Sequence, residues 1–293
     1  MHKQKVTWWI LGGLLILLLV TGGGLGLRSY QRKALARQYR QTTTPTIFFH
    51  GYGSSYRAER QMANYARKQG VTNTVVRANV ARNGRVTWHG TIPPKARNPI
   101  ILVNLDNNKM TATERKDFVK VYDQRSQYVK AVVVTMQKRY GFKHMNLVAH
   151  SMGNLLVANY IKNNAHNKHL PQIDHVVAIA GHFNGFNGEA GAKQTSIDPQ
   201  TGKPDRMLPG YRALLPLRHT FPKTTRVFNI YGDQGDGNDG AVPVASARSY
   251  HYLVATRARS YQEKKITGHD AQHSRLHESQ QVDRLLANFL WRK

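Results

Sequence analysis

The chain contains no cysteine. That excludes disulfide staples and fits an exported protein that holds its core without them. Acidic side chains are scarce: 16 Asp+Glu stand against 43 Lys+Arg, a formal net charge of +27. A field of that sign draws in polyanions such as nucleic acid, anionic lipid headgroups or acidic wall polymers, and it also keeps a protein soluble. No nucleic-acid-binding motif accompanies it, and the basic residues are scattered rather than interleaved with aromatics on one segment. Specific nucleic-acid recognition is therefore not expected, and an anionic cell envelope or membrane surface is the partner the charge favours. No internal repeat is present, and nothing in the chain indicates an obligate protein partner.

Charge is also missing locally. Residues 6–27 carry no ionisable side chain and follow the basic start Met1-His2-Lys3-Gln4-Lys5. About 20 apolar residues span a bilayer, whereas a secretory signal has a shorter apolar region, about 7–15 residues, and a small-residue cleavage site. Residues 1–27 are thus expected to be an uncleaved N-terminal anchor, with a cleaved signal peptide as the alternative. Arg28, Arg32, Lys33, Arg37 and Arg40 follow the span, and such clusters tend to stay in the cytoplasm. Long domains nevertheless translocate largely regardless of charge, so the expectation is an extracytoplasmic catalytic domain. Residues 28–44 read as a basic linker, and 45–293 as one domain, a length that can bury a full core.

Within that domain, strands are expected at 46–49, 74–80, 85–91, 99–104, 145–149, 175–180, 226–231 and 264–267. The second and third are joined by the turn pair Asn83-Gly84. Helices are expected at 58–68, 114–140, 152–164 and about 280–291. Phe118, Val121, Tyr122, Val129, Val132, Val133 and Met136 recur at helical spacing, a stripe that reads as core packing. Strands alternating with helices predict an α/β fold with a mainly parallel central sheet covered on both faces. Residues 182–222 interrupt the alternation with glycines, polar residues and Phe183, Phe186, Met207, Leu208, Tyr211, Leu214, Leu215, Leu217 and Phe221. This apolar content suggests a lid insertion shaping a pocket.

The chemistry is signalled at Leu147-Val148-Ala149-His150-Ser151-Met152-Gly153-Asn154. An apolar strand runs through a tight turn at Ser151 into an apolar helix, the sequence form of a nucleophile elbow. The turn needs small neighbours two before and two after the serine, here Ala149 and Gly153, and it sets the hydroxyl at a helix N-terminus where negative charge is favoured. Alanine replaces the more usual glycine at the first of these positions.

A serine hydroxyl needs a base, an orienting acid and oxyanion donors. For the acid, the stretch from Asn229 to Pro243 offers Asp239, in Asp-Gly-Ala-Val-Pro, with Asp233 and Asp236 as alternatives. Their spacing misses the EF-hand pattern, so no metal site is expected. For the base, residues 268–277 hold three histidines ahead of the last helix. His273 is the choice and His277 its competitor. The oxyanion donors are the backbone N–H of Met152 and one from His50-Gly51-Tyr52, taken as Tyr52. No cofactor is required.

Phe-Phe-His-Gly-Tyr-Gly-Ser-Ser, Val-Ala-His-Ser-Met-Gly-Asn, Asn-Asp-Gly-Ala-Val-Pro and His-Ser-Arg-Leu-His-Glu together resemble the α/β-hydrolase superfamily on its lipase/esterase side. More narrowly, they resemble a family of Gram-positive cell-surface hydrolases of uncharacterised function. The resemblance spans roughly 45–292. It implies the α/β-hydrolase fold, a Ser151–Asp239–His273 triad and an extracytoplasmic setting, but no substrate. The function expected is hydrolysis of a small-molecule or lipid carboxylic ester. An acyltransferase with the same triad, or a non-catalytic binder of anionic envelope polymers, are the alternatives.

Overall fold

The computed structural model describes residues 34–293. The apolar run 6–27 lies outside the described residues, and among those described no helix is long and apolar enough to cross a membrane. The strands are β1 (Thr46–Phe49), β2 (Val75–Val80), β3 (Val86–His89), β4 (Ile100–Leu105), β5 (His144–His150), β6 (Gln172–Ile179), β7 (Arg226–Asp233) and β8 (Ser260–Thr267). They form one sheet in the order β3-β2-β4-β1-β5-β6-β7-β8. Every pairing is parallel except the β2–β3 hairpin, which closes where the Asn83-Gly84 turn places Gly84 at φ 82°.

The central strands are apolar on both sides because both faces are covered. Ile47 and Phe49 pack with Val129, Val133 and Leu155 on one face; Phe48 and Val148 pack with Met62, Val282 and Leu286 on the other. The first layer is built by α3 (Phe118–Tyr140) and α4 (Met152–Asn164), the second by α1 (Arg60–Lys68) and α9 (Gln280–Trp291). Shorter helices, α2 (Ala112–Arg115), α5 (Pro209–Leu214), α6 (Leu217–Thr220), α7 (Val244–Arg248) and α8 (Tyr250–Val254), fill the connections.

Four expectations change. The helix expected over 114–140 breaks after Arg115. Asp117 leaves helical geometry and its carboxylate accepts the Lys120 N–H at 3.2 Å, starting α3 afresh. β8 begins at Ser260 rather than 264; as a charged edge strand it carries little apolar pattern to read. Residues 38–42 are not a free linker: Tyr39 is buried in the core, Arg40 N–H donates to the Trp291 carbonyl at 2.7 Å, and Thr42 is held by Asn98. Most of the large apolar side chains of 182–222, Phe183, Tyr211, Leu214, Leu217 and Phe221 among them, are fully buried in the core. That segment therefore packs down onto the sheet's helical layer, and few of its side chains are left to cover a pocket.

Candidate active site

The C-terminal ends of β1, β5, β6, β7 and β8 deliver their loops to one edge of the sheet, where open α/β sheets place their chemistry. β5 ends at His150, and Ser151 follows at φ 52°, ψ −122°, a conformation that costs a non-glycine residue on the order of 1–3 kcal/mol. The surroundings enforce it. Ser151 N–H donates to the Ile179 carbonyl at 2.9 Å, and the Asn154 side chain donates to both Ser151 and Ile179 carbonyls. A Cβ on Gly153 would lie 2.5 Å from the Phe49 carbonyl oxygen, so only glycine lets α4 begin this close to β1.

The hydroxyl so presented meets an imidazole. His273 Nε2 lies 2.9 Å from Ser151 Oγ, and His273 Nδ1 lies 2.8 Å from Asp239 Oδ2. The carboxylate can only accept, so Nδ1 carries the proton and the Nε2 lone pair faces the serine. Asp239 is 1 % exposed. Its other oxygen accepts the N–H groups of Ala241 and Val242 at 2.9 and 2.7 Å, and its carbonyl takes the His273 N–H at 2.8 Å. Side chain and main chain thus clamp the histidine loop together.

The structure brings Ser151, Asp239 and His273 together and leaves the alternatives apart. Asp233 accepts the N–H groups of Gly235 and Gly237 and pairs with Lys265 Nζ at 3.2 Å; the backbone bonds hold its carboxyl below the usual range. Asp236 caps the exposed turn at Asn238. His277 packs edge-on against His150, ring centroids 4.7 Å apart, and burial lowers its imidazole. Among the described residues, no group of three His, Asp or Glu side chains is placed to hold a metal ion.

The two N–H groups expected as oxyanion donors belong to Met152 and Tyr52, both next to the serine in chain or in space. Met152 is the first residue of α4, so helix geometry gives its N–H no partner within the helix. The Tyr52 N–H sits on the loop after β1, where a Cβ on Gly51 would come within 3.0 Å of the Ser151 Cβ. His50, fully buried, sets that loop: its Nε2 accepts the Leu105 N–H at 3.0 Å, which leaves Nδ1 to donate to the Gly51 carbonyl at 2.8 Å. The Gly51 carbonyl and the Tyr52 N–H belong to one trans peptide and point in opposite directions, so His50 holds one end and aims the other.

A cleft of about 380 Å³ opens over Ser151 and His273. Tyr52, Met110, Phe118, Tyr122, Phe186, Ala241 and Val242 make its walls, with His182 and Arg115 as further polar lining. Tyr52 and Phe186, 44 % and 41 % exposed, are large apolar side chains left at the surface there. The Tyr52 hydroxyl accepts the Met110 N–H at 3.1 Å, tying the loop after β1 to the one after β4. Residues 182–222 reach the cleft through His182 and Phe186. The wall built by Met110, Arg115, Phe118 and Tyr122 had no signal of its own in the sequence: Phe118 and Tyr122 open a helical stripe whose later members are core.

A family described as alpha/beta hydrolase of unknown function (DUF915) matches residues 33–293. The chain belongs to that family. Among solved structures, this alpha/beta hydrolase is similar to the lin2722 gene product of Listeria innocua, with 25% identity and a TM-score of 0.71 over 85% of this chain and 94% of the other. A protein of Lactobacillus plantarum described as a cell surface hydrolase aligns with a TM-score of 0.66 at 18% identity, over 84% and 89%. The Pyrococcus furiosus esterase Pf2001 aligns at 0.51 and 15%, over 88% and 93%. The last two likenesses are of fold. No curated protein matches the chain.

Proposed function

We propose that this alpha/beta hydrolase is a serine hydrolase that cleaves carboxylic esters at the cell surface. The observation that carries the reading is the array Ser151 Oγ–His273 Nε2 at 2.9 Å and His273 Nδ1–Asp239 Oδ2 at 2.8 Å, built on a strained elbow. Ser151 Oγ attacks the ester carbonyl carbon as its proton passes to His273 Nε2. The carbonyl oxygen becomes an oxyanion that accepts the Tyr52 and Met152 N–H groups. His273 returns the proton to the departing alcohol, and Asp239 stabilises the imidazolium in between. Water, deprotonated by His273, then attacks the acyl-enzyme and frees the acid and Ser151. The cell-surface part rests on the basic start and apolar run of residues 1–27, which suit an anchor, and on the similar L. plantarum fold described as a cell surface hydrolase.

The test is labelling of the full-length chain by a fluorophosphonate probe, followed by turnover of 4-nitrophenyl esters. Wild type should label and hydrolyse. Ser151→Ala should lose the label, and His273→Ala should lose on the order of 10³-fold or more in kcat. A folded wild type that neither labels nor hydrolyses would defeat the reading.

A further inference from the structure

The cleft has one feature that bare ester hydrolysis does not use. Among the described side chains lining it, Arg115 is the one arginine, and there is no lysine. The further histidine of the lining, His182, is buried and pushed down to about 4, so it stands as a neutral imidazole between Tyr122 and Phe186. Arg115 is the last residue of α2, a one-turn helix fixed by a capping box in which Thr111 and Glu114 bond reciprocally. Its Nε is turned back toward the Met110 carbonyl, at 3.4 Å, which leaves the two terminal nitrogens of the guanidinium free of that contact.

Neighbouring carboxylates are already committed. Glu114, the adjacent residue, pairs with Arg125 Nη2 at 2.7 Å, and Asp117 caps α3. Among the described residues, no carboxylate forms an ion pair with Arg115. Glu189 is near enough to Tyr122 to raise its hydroxyl, and burial raises the Glu189 carboxyl in turn. An unpaired guanidinium at an aromatic rim is suited to a planar, two-oxygen anion, which it grips through two parallel N–H bonds.

We propose that Arg115 is a specificity-determining residue, and that the preferred ester carries an anionic group, carboxylate or phosphate, at the far end of an apolar portion. This inference rests on the ester-hydrolase reading and narrows it. The apolar portion lies along Met110, Phe118 and Tyr122 while the scissile carbonyl sits at Ser151, and the anion is met by Arg115 at the rim.

The test compares three 4-nitrophenyl esters of equal chain length on the full-length chain: the hexanoate, the hydrogen adipate and the 6-phosphooxyhexanoate. The wild type should favour one or both anionic esters by at least about tenfold in kcat/KM. Arg115→Gln should bring that ratio below about two, and Arg115→Lys should recover part of it. Lys168→Gln removes the same charge from an exposed loop and should keep the ratio. A ratio that survives Arg115→Gln, or falls equally in Lys168→Gln, would assign the preference to the overall positive field and overturn the proposal.

Equilibrium binding of the same esters to Ser151→Ala separates the two readings. Anionic esters bound through Arg115 but not hydrolysed by wild type would leave the anion site standing and defeat the esterase. Neutral and anionic esters bound and hydrolysed alike would defeat the anion site and leave the esterase.

Discussion

At the residue scale, His50 shows how a buried side chain can set the direction of a backbone group at the cleft. It bridges the Leu105 N–H and the Gly51 carbonyl and so orients the Tyr52 N–H. His50→Leu should lower kcat with little change in KM, approaching the roughly 10²–10³-fold cost of losing one oxyanion donor. His50→Asn, which keeps a short N–H donor, should restore part of the rate. Steady-state kinetics of the two variants check this, and a loss confined to KM would contradict it. Ser151 was legible because an elbow tolerates few residues around it. Asp239 and His273 were legible as polar clusters placed after apolar strands. The choice of His273 over His277 was not, because it depends on which ring turns toward Ser151 and which toward His150, a matter of packing that spacing along the chain does not encode.

At the element scale, the sequence pattern reached the sheet and the principal helices, since four- to eight-residue apolar runs between turn residues have few other uses. It was less informative for elements whose side chains serve two neighbours. The 182–222 segment read as a cover for a pocket, yet an apolar residue looks the same in sequence whether it caps a cleft or fills a core, and Tyr211 and Phe221 fill the core. β8 was half invisible for the opposite reason, an edge strand whose solvent side is charged. The close approach of α4 to β1 makes a firm prediction. Gly153→Ala sets a Cβ 2.5 Å from the Phe49 carbonyl oxygen and should destabilise by about 1–3 kcal/mol or more, with loss of labelling at Ser151. Gly84→Ala, in the open β2–β3 turn where nothing crowds the new Cβ, should cost only about 1–2 kcal/mol for its positive φ and leave labelling intact. Urea unfolding of the two variants makes the comparison.

At the scale of the whole molecule, buried ionisable groups set opposing limits on stability. The Glu59 carboxyl, with no hydrogen-bond partner among the described residues for either oxygen, is pushed up to about 8 by burial, and Asp283 to about 6. As pH rises from about 4.5 toward 8, the unfolded chain releases the Glu59 proton while the folded chain keeps it, so stability falls through that window. His182 works the other way: its folded imidazole resists protonation until about 4, so stability falls as pH drops below about 6.5. The urea midpoint should therefore be highest in between, and Glu59→Gln should flatten the decline between pH 5 and 8. An unchanged decline in that variant would place its origin elsewhere. The chain ends carry a consequence of another kind. Pro45 accepts the Asn146 N–H at the start of β5, Arg40 is bonded to Trp291, and Lys293 N–H reaches the Gln38 carbonyl, so the leading and trailing segments lie together at the edge of the sheet where the strands begin. Ser151 stands at the edge where they end, roughly 20 Å away along the 7 residues of β5. Strand polarity thus gives the described domain two poles: both of its chain ends gather at one, and the mouth of the cleft opens at the other.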